Sequence, residues 1–162
     1  RRLMTDFDPS SITQDQLHGL RDAAEQAWGD DTRHPDYAGH PQPSAGQCYV
    51  TSRWMTSKLG GHVGVKSGHY FWVSPDKKYI IDLTGDQFAY GPADLKYHGI
   101  RLDEDDSGWE PTEDQKKHRP GPILFKRSDH PLYKGYRVKS FKTENPRVKL
   151  FRQRADEAYD GS

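Results

Sequence analysis

Cys48 is the only cysteine in this chain of 162 residues. A histidine and an aspartate further along the chain could activate it as a nucleophile. They are His69 and Asp82, and each belongs to a short stretch rich in aromatic and β-branched residues. In a relay of this kind, the imidazole withdraws the thiol proton and the carboxylate orients the imidazole. The hypothesis to test is therefore thiol-dependent acyl chemistry at Cys48.

A helix is predicted to begin at the cysteine. The stretch from Gln47 to Leu59 contains neither proline nor glycine, and it ends in Gly60-Gly61, as a helix C-terminus often does. A free thiol has a pKa near 8.5, so the positive end of a helix dipole would help to form the reactive thiolate. The same helix start offers backbone N–H groups to an oxyanion. We expect the side-chain amide of Gln47 to assist there, and Tyr49 to contribute to substrate binding.

A β-hairpin is predicted to bring the histidine to the aspartate. Residues 70–73 and 79–83 read as two strands on either side of a polar turn that starts at Pro75. A turn centred near residues 76 and 77 places His69 and Asp82 close to opposite one another. Directly opposed residues share a face of the sheet, with Cβ atoms about 4.5–5.5 Å apart. This register predicts contact between the two side chains.

Each of these residues also has an ordinary structural explanation. A lone cysteine often behaves as a small buried hydrophobe, and a histidine in an aromatic strand is commonly structural. An aspartate at a strand end often caps a turn. Asp86 is a second choice for the carboxylate, because it follows the predicted strand.

The remaining pattern predicts an α+β domain. A first helix is expected from Asp8 to Trp28, capped by Ser10 or Ser11, with a proline-rich loop at 32–45 leading to Cys48. A short strand is expected at 62–65. The later elements are expected to be strands at 123–125 and 136–138, a polar loop at 103–117, and a helix at 148–159 with Asn145 as its cap and Pro146 first.

Composition narrows the functional classes. Hydrophobic residues make up 32% and charged residues 30%, which suits one modest core with a polar periphery. The 24 basic and 24 acidic residues balance, so net charge gives no reason to expect binding to nucleic acid or membrane. One cysteine excludes an internal disulfide and a cysteine-based zinc cluster. We expect a cytoplasmic protein without a membrane span.

A basic segment and the histidines are two further features that could form a binding site. The basic segment 147–154 could contact nucleic acid, but Asp156, Glu157 and Asp160 follow it closely, which favours a solvated helix. The eight histidines are scattered and show no metal-binding spacing, so no metal and no cofactor is predicted.

At this point the chain resembles the YunG-like family of small bacterial and phage proteins. The resemblance spans about residues 20–90. It rests on Gly46-Gln47-Cys48, Gly60-Gly61, Gly68-His69-Tyr70, Ile81-Asp82-Leu83-Thr84 and Gln87-Phe88, with Trp28 and the loop at 36–43.

More distantly, the motifs are similar to the transglutaminase-like branch of the papain-like fold. That resemblance implies Cys48 as nucleophile, His69 as general base and acid, and Asp82 as the orienting carboxylate. It also implies a minimal papain/transglutaminase-like core, in which the cysteine helix packs on a small antiparallel sheet. The interval from Cys48 to His69 is short for a full transglutaminase, and Tyr49 stands where transglutaminases usually have tryptophan.

The resulting expectation is a catalytic-like core at 1–110 and a C-terminal extension at 111–162 that packs on or completes the same domain. The predicted activity is that of a cysteine-dependent hydrolase or acyltransferase, either a peptidase, an amidase or a transglutaminase-like enzyme. It would act through a thioester on a protein or peptide amide. The alternative is a catalytically inactive binding or accessory protein of bacterial or phage origin that uses the same groove to hold a partner.

Overall fold

The protein has an α+β fold, and its structure, a computed structural model, describes residues 7–8, 11–41, 43–85, 124–129 and 133–161. Within these ranges there are three α-helices and a five-stranded sheet. The helices are α1 (Gln14–Ala27), α2 (Cys48–Leu59) and α3 (Pro146–Asp160). The strands are β1 (His62–Lys66), β2 (His69–Val73), β3 (Tyr79–Asp82), β4 (Leu124–Arg127) and β5 (Arg137–Lys139).

The sheet is antiparallel throughout, in the order β4-β3-β2-β1-β5. Its centre is local in sequence, because β1, β2 and β3 follow one another along the chain. Both edges come from beyond residue 111, since β4 pairs with β3 and β5 pairs with β1. The predicted boundary near residue 110 lies outside the described residues.

The helices cover one face of this sheet. The sheet contributes Trp72 of β2, Ile81 of β3 and Leu83, just after β3, to this face. These side chains join the main core with side chains from all three helices. The indole of Trp54 in α2 packs edge-on against Phe151 of α3, with ring centroids 6.0 Å apart. Helix α3 thereby ties the C-terminal segment to the helix that begins at the cysteine.

A smaller cluster occupies the opposite face of the sheet. It contains Phe71, Val73, Ile80 and Tyr133, with Tyr136 packed against it. The rings of Phe71 and Tyr133 meet edge-on, with centroids 4.9 Å apart. The segment that precedes β5 therefore packs against the central strands.

The predicted helices and strands are present, with boundaries that differ by one or two residues except at the start of α1. The first helix begins at Gln14 rather than near Asp8, and Thr13 caps it by accepting a 3.0 Å hydrogen bond from the Gln16 N–H. The Ser11 hydroxyl instead donates to the Asp8 carbonyl within the preceding turn. The cap of α3 is confirmed, because the Asn145 side chain accepts from the Val148 N–H at 2.9 Å. The predicted loop at 103–117 lies outside the described residues.

Candidate active site at Cys48

Cys48 is the first residue of α2 and its side chain is partly exposed. The first N–H groups of a helix have no acceptor within the helix, so they point along its axis at whatever lies before the N-terminus. A negative charge is favoured in that position, either on the Cys48 sulfur or on the oxygen of a carbonyl group that the sulfur attacks. The predicted helix start at the cysteine is confirmed.

Gln47 holds this helix start in place. Its side chain is buried, with Oε1 accepting from the Thr32 hydroxyl and Nε2 donating to the Gly29 carbonyl, each at 2.9 Å. These bonds link the helix N-terminus to the end of α1. The role of the Gln47 amide as an oxyanion donor stays a prediction, and the contacts favour a positioning role.

His69 is the first residue of β2, and a two-residue turn delivers it there. Ser67 and Gly68 both have positive φ, 51° and 79°, as the type I′ turn of a tight hairpin requires. The His69 Nε2 atom lies 2.7 Å from the Asp82 Oδ2 atom. Both side chains are well shielded, with 11% and 2% of their surfaces exposed. The predicted contact between these residues is therefore present.

The β2–β3 hairpin is centred between residues 76 and 77, as predicted. The β2–β3 ladder pairs Trp72 with Ile81 and Val73 with Ile80, so Asp82 stands across from Phe71 rather than from His69. His69 is the diagonal neighbour on the same face. Diagonal neighbours are about 7–8 Å apart, which an imidazole and a carboxylate together can span. The predicted turn centre is therefore confirmed, and it makes the contact between His69 and Asp82 diagonal rather than directly opposed.

The Asp82 carboxylate is fixed on both of its oxygens. Oδ2 also accepts a 3.0 Å hydrogen bond from the Tyr133 hydroxyl. Oδ1 accepts from the Thr84 N–H at 3.3 Å and from the Thr84 hydroxyl at 3.4 Å. A buried carboxylate with this many donors keeps one orientation, and it presents a fixed negative charge to His69.

This arrangement keeps the imidazole protonated. Burial by itself lowers the pKa of His69, but the charge and hydrogen bond of Asp82 oppose it, as do a hydrogen bond and charge from Cys48. Together they raise the pKa of His69 to about 10. Cys48 and His69 line the same cleft, and with this raised pKa His69 is an imidazolium at neutral pH.

A cleft of about 130 Å³ opens beside the sulfur. Its lining is His34, Tyr37, Gly46, Cys48, Tyr49, Ser67, Gly68, His69 and Tyr70. Aromatic rings dominate this list, so the cleft suits an extended chain with apolar groups beside the reacting atoms. Tyr49 lines this cleft, and its contribution to substrate binding stays a prediction.

Gly46 lets the loop before α2 close tightly over this cleft. Its φ is +74°, and a Cβ there would lie 2.8 Å from the Arg33 Cγ atom and 2.9 Å from the Tyr37 Cβ atom. Arg33 is buried and donates to the carbonyls of His40 and Pro43 at 3.0 and 3.2 Å. The loop that carries Tyr37 is therefore organised around one guanidinium.

Sequence reasoning missed Tyr133 and Arg33 as contributors to the site. Tyr133 lies 51 residues beyond Asp82 in an irregular segment, so no local pattern connects the two. Arg33 lies in the proline-rich loop, where a charged residue is normally exposed. The density of proline and glycine at 32–45 was the available signal that this loop has a defined shape.

Other kinds of site find no basis in the described part of the chain. No group of three or more histidine, cysteine or acidic side chains there could hold a metal ion. None of the helices in that part is long and apolar enough to cross a bilayer. Asp86, the second candidate carboxylate, lies outside the described residues.

Comparison with known proteins places the chain in a family. No curated protein and no solved structure gave a match. The protein-family model described as YunG protein matches residues 16–119. This span contains most of α1, all of α2 and the three central strands, and Cys48, His69 and Asp82 lie within it. The chain therefore belongs to the YunG protein family.

Proposed function

We propose that this protein is a cysteine-dependent acyl-transfer enzyme whose triad is Cys48, His69 and Asp82, built on a minimal papain/transglutaminase-like core. The observation that carries the proposal is the imidazolium held between a buried carboxylate and the cysteine at a helix N-terminus. A purely structural histidine has no need of a charged partner on each side. Buried charges are costly, and their clustering in a cleft is characteristic of functional sites.

The proposed reaction has two halves. The Cys48 thiolate attacks the carbonyl carbon of an amide, and the carbonyl electron pair moves to oxygen, where the backbone N–H of Cys48 can stabilise it. The C–N bond then breaks, and His69 gives its proton to the departing amine. The products of this half are a thioester on Cys48, a free amine and a neutral imidazole.

In the second half, neutral His69 takes a proton from the incoming nucleophile. Water yields a carboxylic acid, and an amine yields a new amide. The Cys48 thiolate leaves in either case, and His69 is again an imidazolium. Hydrolysis is the more general outcome of these steps.

The electrostatics suit this alternation of roles. The charge and hydrogen bond of Cys48 are among the causes that raise the pKa of His69, and a thioester has neither a thiolate charge nor a proton to share. The thiolate charge is lost as soon as the S–C bond forms, so attack on the carbonyl lowers the pKa of His69 and favours transfer of its proton to the departing amine. Asp82 remains as the fixed charge that keeps the ring oriented throughout.

Acylation by p-nitrophenyl acetate tests this proposal without knowledge of the natural substrate. We expect one equivalent of nitrophenol in a burst, an acetyl group on Cys48 by peptide mapping, and continued turnover as water removes that group. His69→Ala should slow both acylation and deacylation by roughly 100-fold or more. His62→Ala, at the start of β1, is the matched control and should leave both rates unchanged.

An inert thiol gives a different result. Slow acetylation of Cys48, a stable acetyl adduct and indifference to His69→Ala would contradict the enzyme and favour the non-catalytic binding protein. Adding a primary amine to the turnover experiment separates the two enzymatic outcomes, because only an acyltransferase partitions the acetyl group to the amine in preference to water.

A further inference from the structure

Tyr49, which follows the cysteine, is flanked by two guanidinium groups. Arg53, one turn further along α2, donates to the Tyr49 hydroxyl at 2.9 Å, and its guanidinium carbon lies 5.7 Å from the ring centroid. Arg147, in the first turn of α3, approaches the same ring to 5.8 Å. The rings of Tyr70 and Phe141 meet Tyr49 edge-on, each at 5.3 Å.

Neither arginine is neutralised by an acidic side chain in the part of the chain that the structure describes. Arg53 donates to the Thr143 carbonyl, and Arg147 donates to the Thr32 carbonyl. These are neutral acceptors, and a guanidinium has five N–H donors, so each arginine keeps donors for a ligand. Other arginines nearby differ in this respect, because Arg152 binds Glu144 at 2.8 Å and Arg154 binds Asp31.

The two charges lie next to the proposed site of acylation. Tyr49 lines the Cys48 cleft, and Arg53, which contacts Tyr49, lines a second groove of about 290 Å³ between α2 and residues 141–144. Arg53 stands five positions after Cys48 in α2, a rise of about 7–8 Å along the helix axis. An extended peptide advances about 3.3–3.6 Å per residue, so this rise corresponds to about two residues of substrate, and the reach of the side chains widens the range to one to three.

We propose that Arg53 and Arg147, held by the ring of Tyr49, form a subsite for the carboxylate of an acidic residue close to the amide that Cys48 attacks. The preferred substrate class is then a peptide or protein amide with aspartate or glutamate one to three residues away. This inference rests on the proposed function, and it adds the chemistry that selects the substrate. Arginine suits the task because its planar fork matches a carboxylate.

Peptidyl vinyl sulfones, which label a reactive cysteine, test the subsite. One set of probes carries glutamate one, two or three residues from the electrophile, and a matched set carries glutamine, the neutral isostere, at the same positions. We expect the best glutamate probe to label Cys48 about tenfold faster than its glutamine counterpart, and this preference to shrink as salt is raised. Arg53→Gln and Arg147→Gln should each reduce the preference, and the double variant should abolish it. Lys78→Gln, in the turn at the far end of β2 from His69, is the matched control and should retain it.

A binding measurement separates the subsite from the chemistry. In Cys48→Ala, a fluorescein-labelled peptide with glutamate should bind more tightly than its glutamine counterpart, and the arginine double variant should bind both equally. Equal binding of the two peptides to Cys48→Ala, or an unchanged preference in the double variant, would overturn the subsite. Failure of every probe to label Cys48 while the glutamate peptide still binds better would instead contradict the proposed enzyme and leave the subsite standing.

Discussion

The hydroxyl of Tyr133 and the imidazole of His69 donate to the same oxygen of Asp82, at 3.0 and 2.7 Å. Tyr133 is buried against Phe71, so its hydroxyl has little freedom to turn elsewhere. The tyrosine thus sets the position of the carboxylate that in turn orients the histidine. We regard Tyr133 as a positioning residue for the site at Cys48.

Removal of the Tyr133 hydroxyl should weaken this arrangement without emptying the core. Tyr133→Phe keeps the ring but takes one donor from Asp82, so we expect a loss of about 1 kcal/mol in the free energy of unfolding. We also expect a several-fold slower reaction of Cys48 with iodoacetamide at pH 7 and an altered pH profile. Tyr136→Phe is the matched control, because its hydroxyl donates to the Lys77 carbonyl at 3.3 Å in the β2–β3 turn. Identical profiles for the two variants would show that Tyr133 only fills space.

Replacing Asp82 with a neutral residue should lower the pKa of His69. In Asp82→Asn the negative charge that offsets the effect of burial is gone, so we expect the pKa of His69 to fall from about 10 towards its ordinary value of 6.5. The imidazole is then neutral at pH 7, and iodoacetamide should react with Cys48 at least tenfold more slowly there. NMR titration of the histidine rings measures the change directly, with His62 as an internal reference. A ring of His69 that stays protonated at pH 8 in this variant would contradict the assignment.

The same ion pair makes stability depend on pH in a defined direction. The pKa of His69 is raised in the folded protein, so its contribution is complete below about pH 6.5 and is lost as the pH rises towards 10. We expect the free energy of unfolding in urea to fall across this window by a few kcal/mol. His69→Gln should flatten the profile over that range, whereas His62→Gln should not. Parallel profiles for the wild type and His69→Gln would contradict the raised pKa.

A methyl group at Gly46 should disturb the loop over the cleft. Gly46→Ala combines a positive φ with close approaches to Arg33 and Tyr37, and we expect a loss of about 2–3 kcal/mol in the free energy of unfolding. Gly39→Ala is the matched control, because its φ is +77° but its Cβ would meet no atom of the described residues within 4 Å. That variant should lose only about 1 kcal/mol. Equal losses in urea denaturation would show that the close approach is unimportant.

Sequence reasoning succeeded where the determining contacts are local. The cysteine helix is delimited by residues on either side of it, and the hairpin follows from strand patterns and turn residues within one short stretch. The contact between His69 and Asp82 was found for the same reason, because the turn centre at residues 76 and 77 fixes the register of the hairpin. Within that register the two residues are diagonal neighbours on one face, and their long side chains bridge the distance.

The contributors that were missed depend on distant parts of the chain. Tyr133 meets Asp82 across 51 residues, and Arg147 reaches Thr32 across 115. The cap of α1 was assigned to Ser10 or Ser11 because both are good capping residues, while Thr13 takes that place one turn later. Intrinsic preference ranks such candidates, but tertiary packing chooses among them.

The two edge strands have a consequence for synthesis on the ribosome. Because β4 and β5 follow the other strands by 40 residues or more, the three central strands leave the ribosome with both edges of the sheet unpaired. The hydroxyl of Tyr133, which steadies Asp82, is also translated after them. The nascent polypeptide therefore contains Cys48, His69 and Asp82 before the residues that complete the sheet and fix the carboxylate have been added.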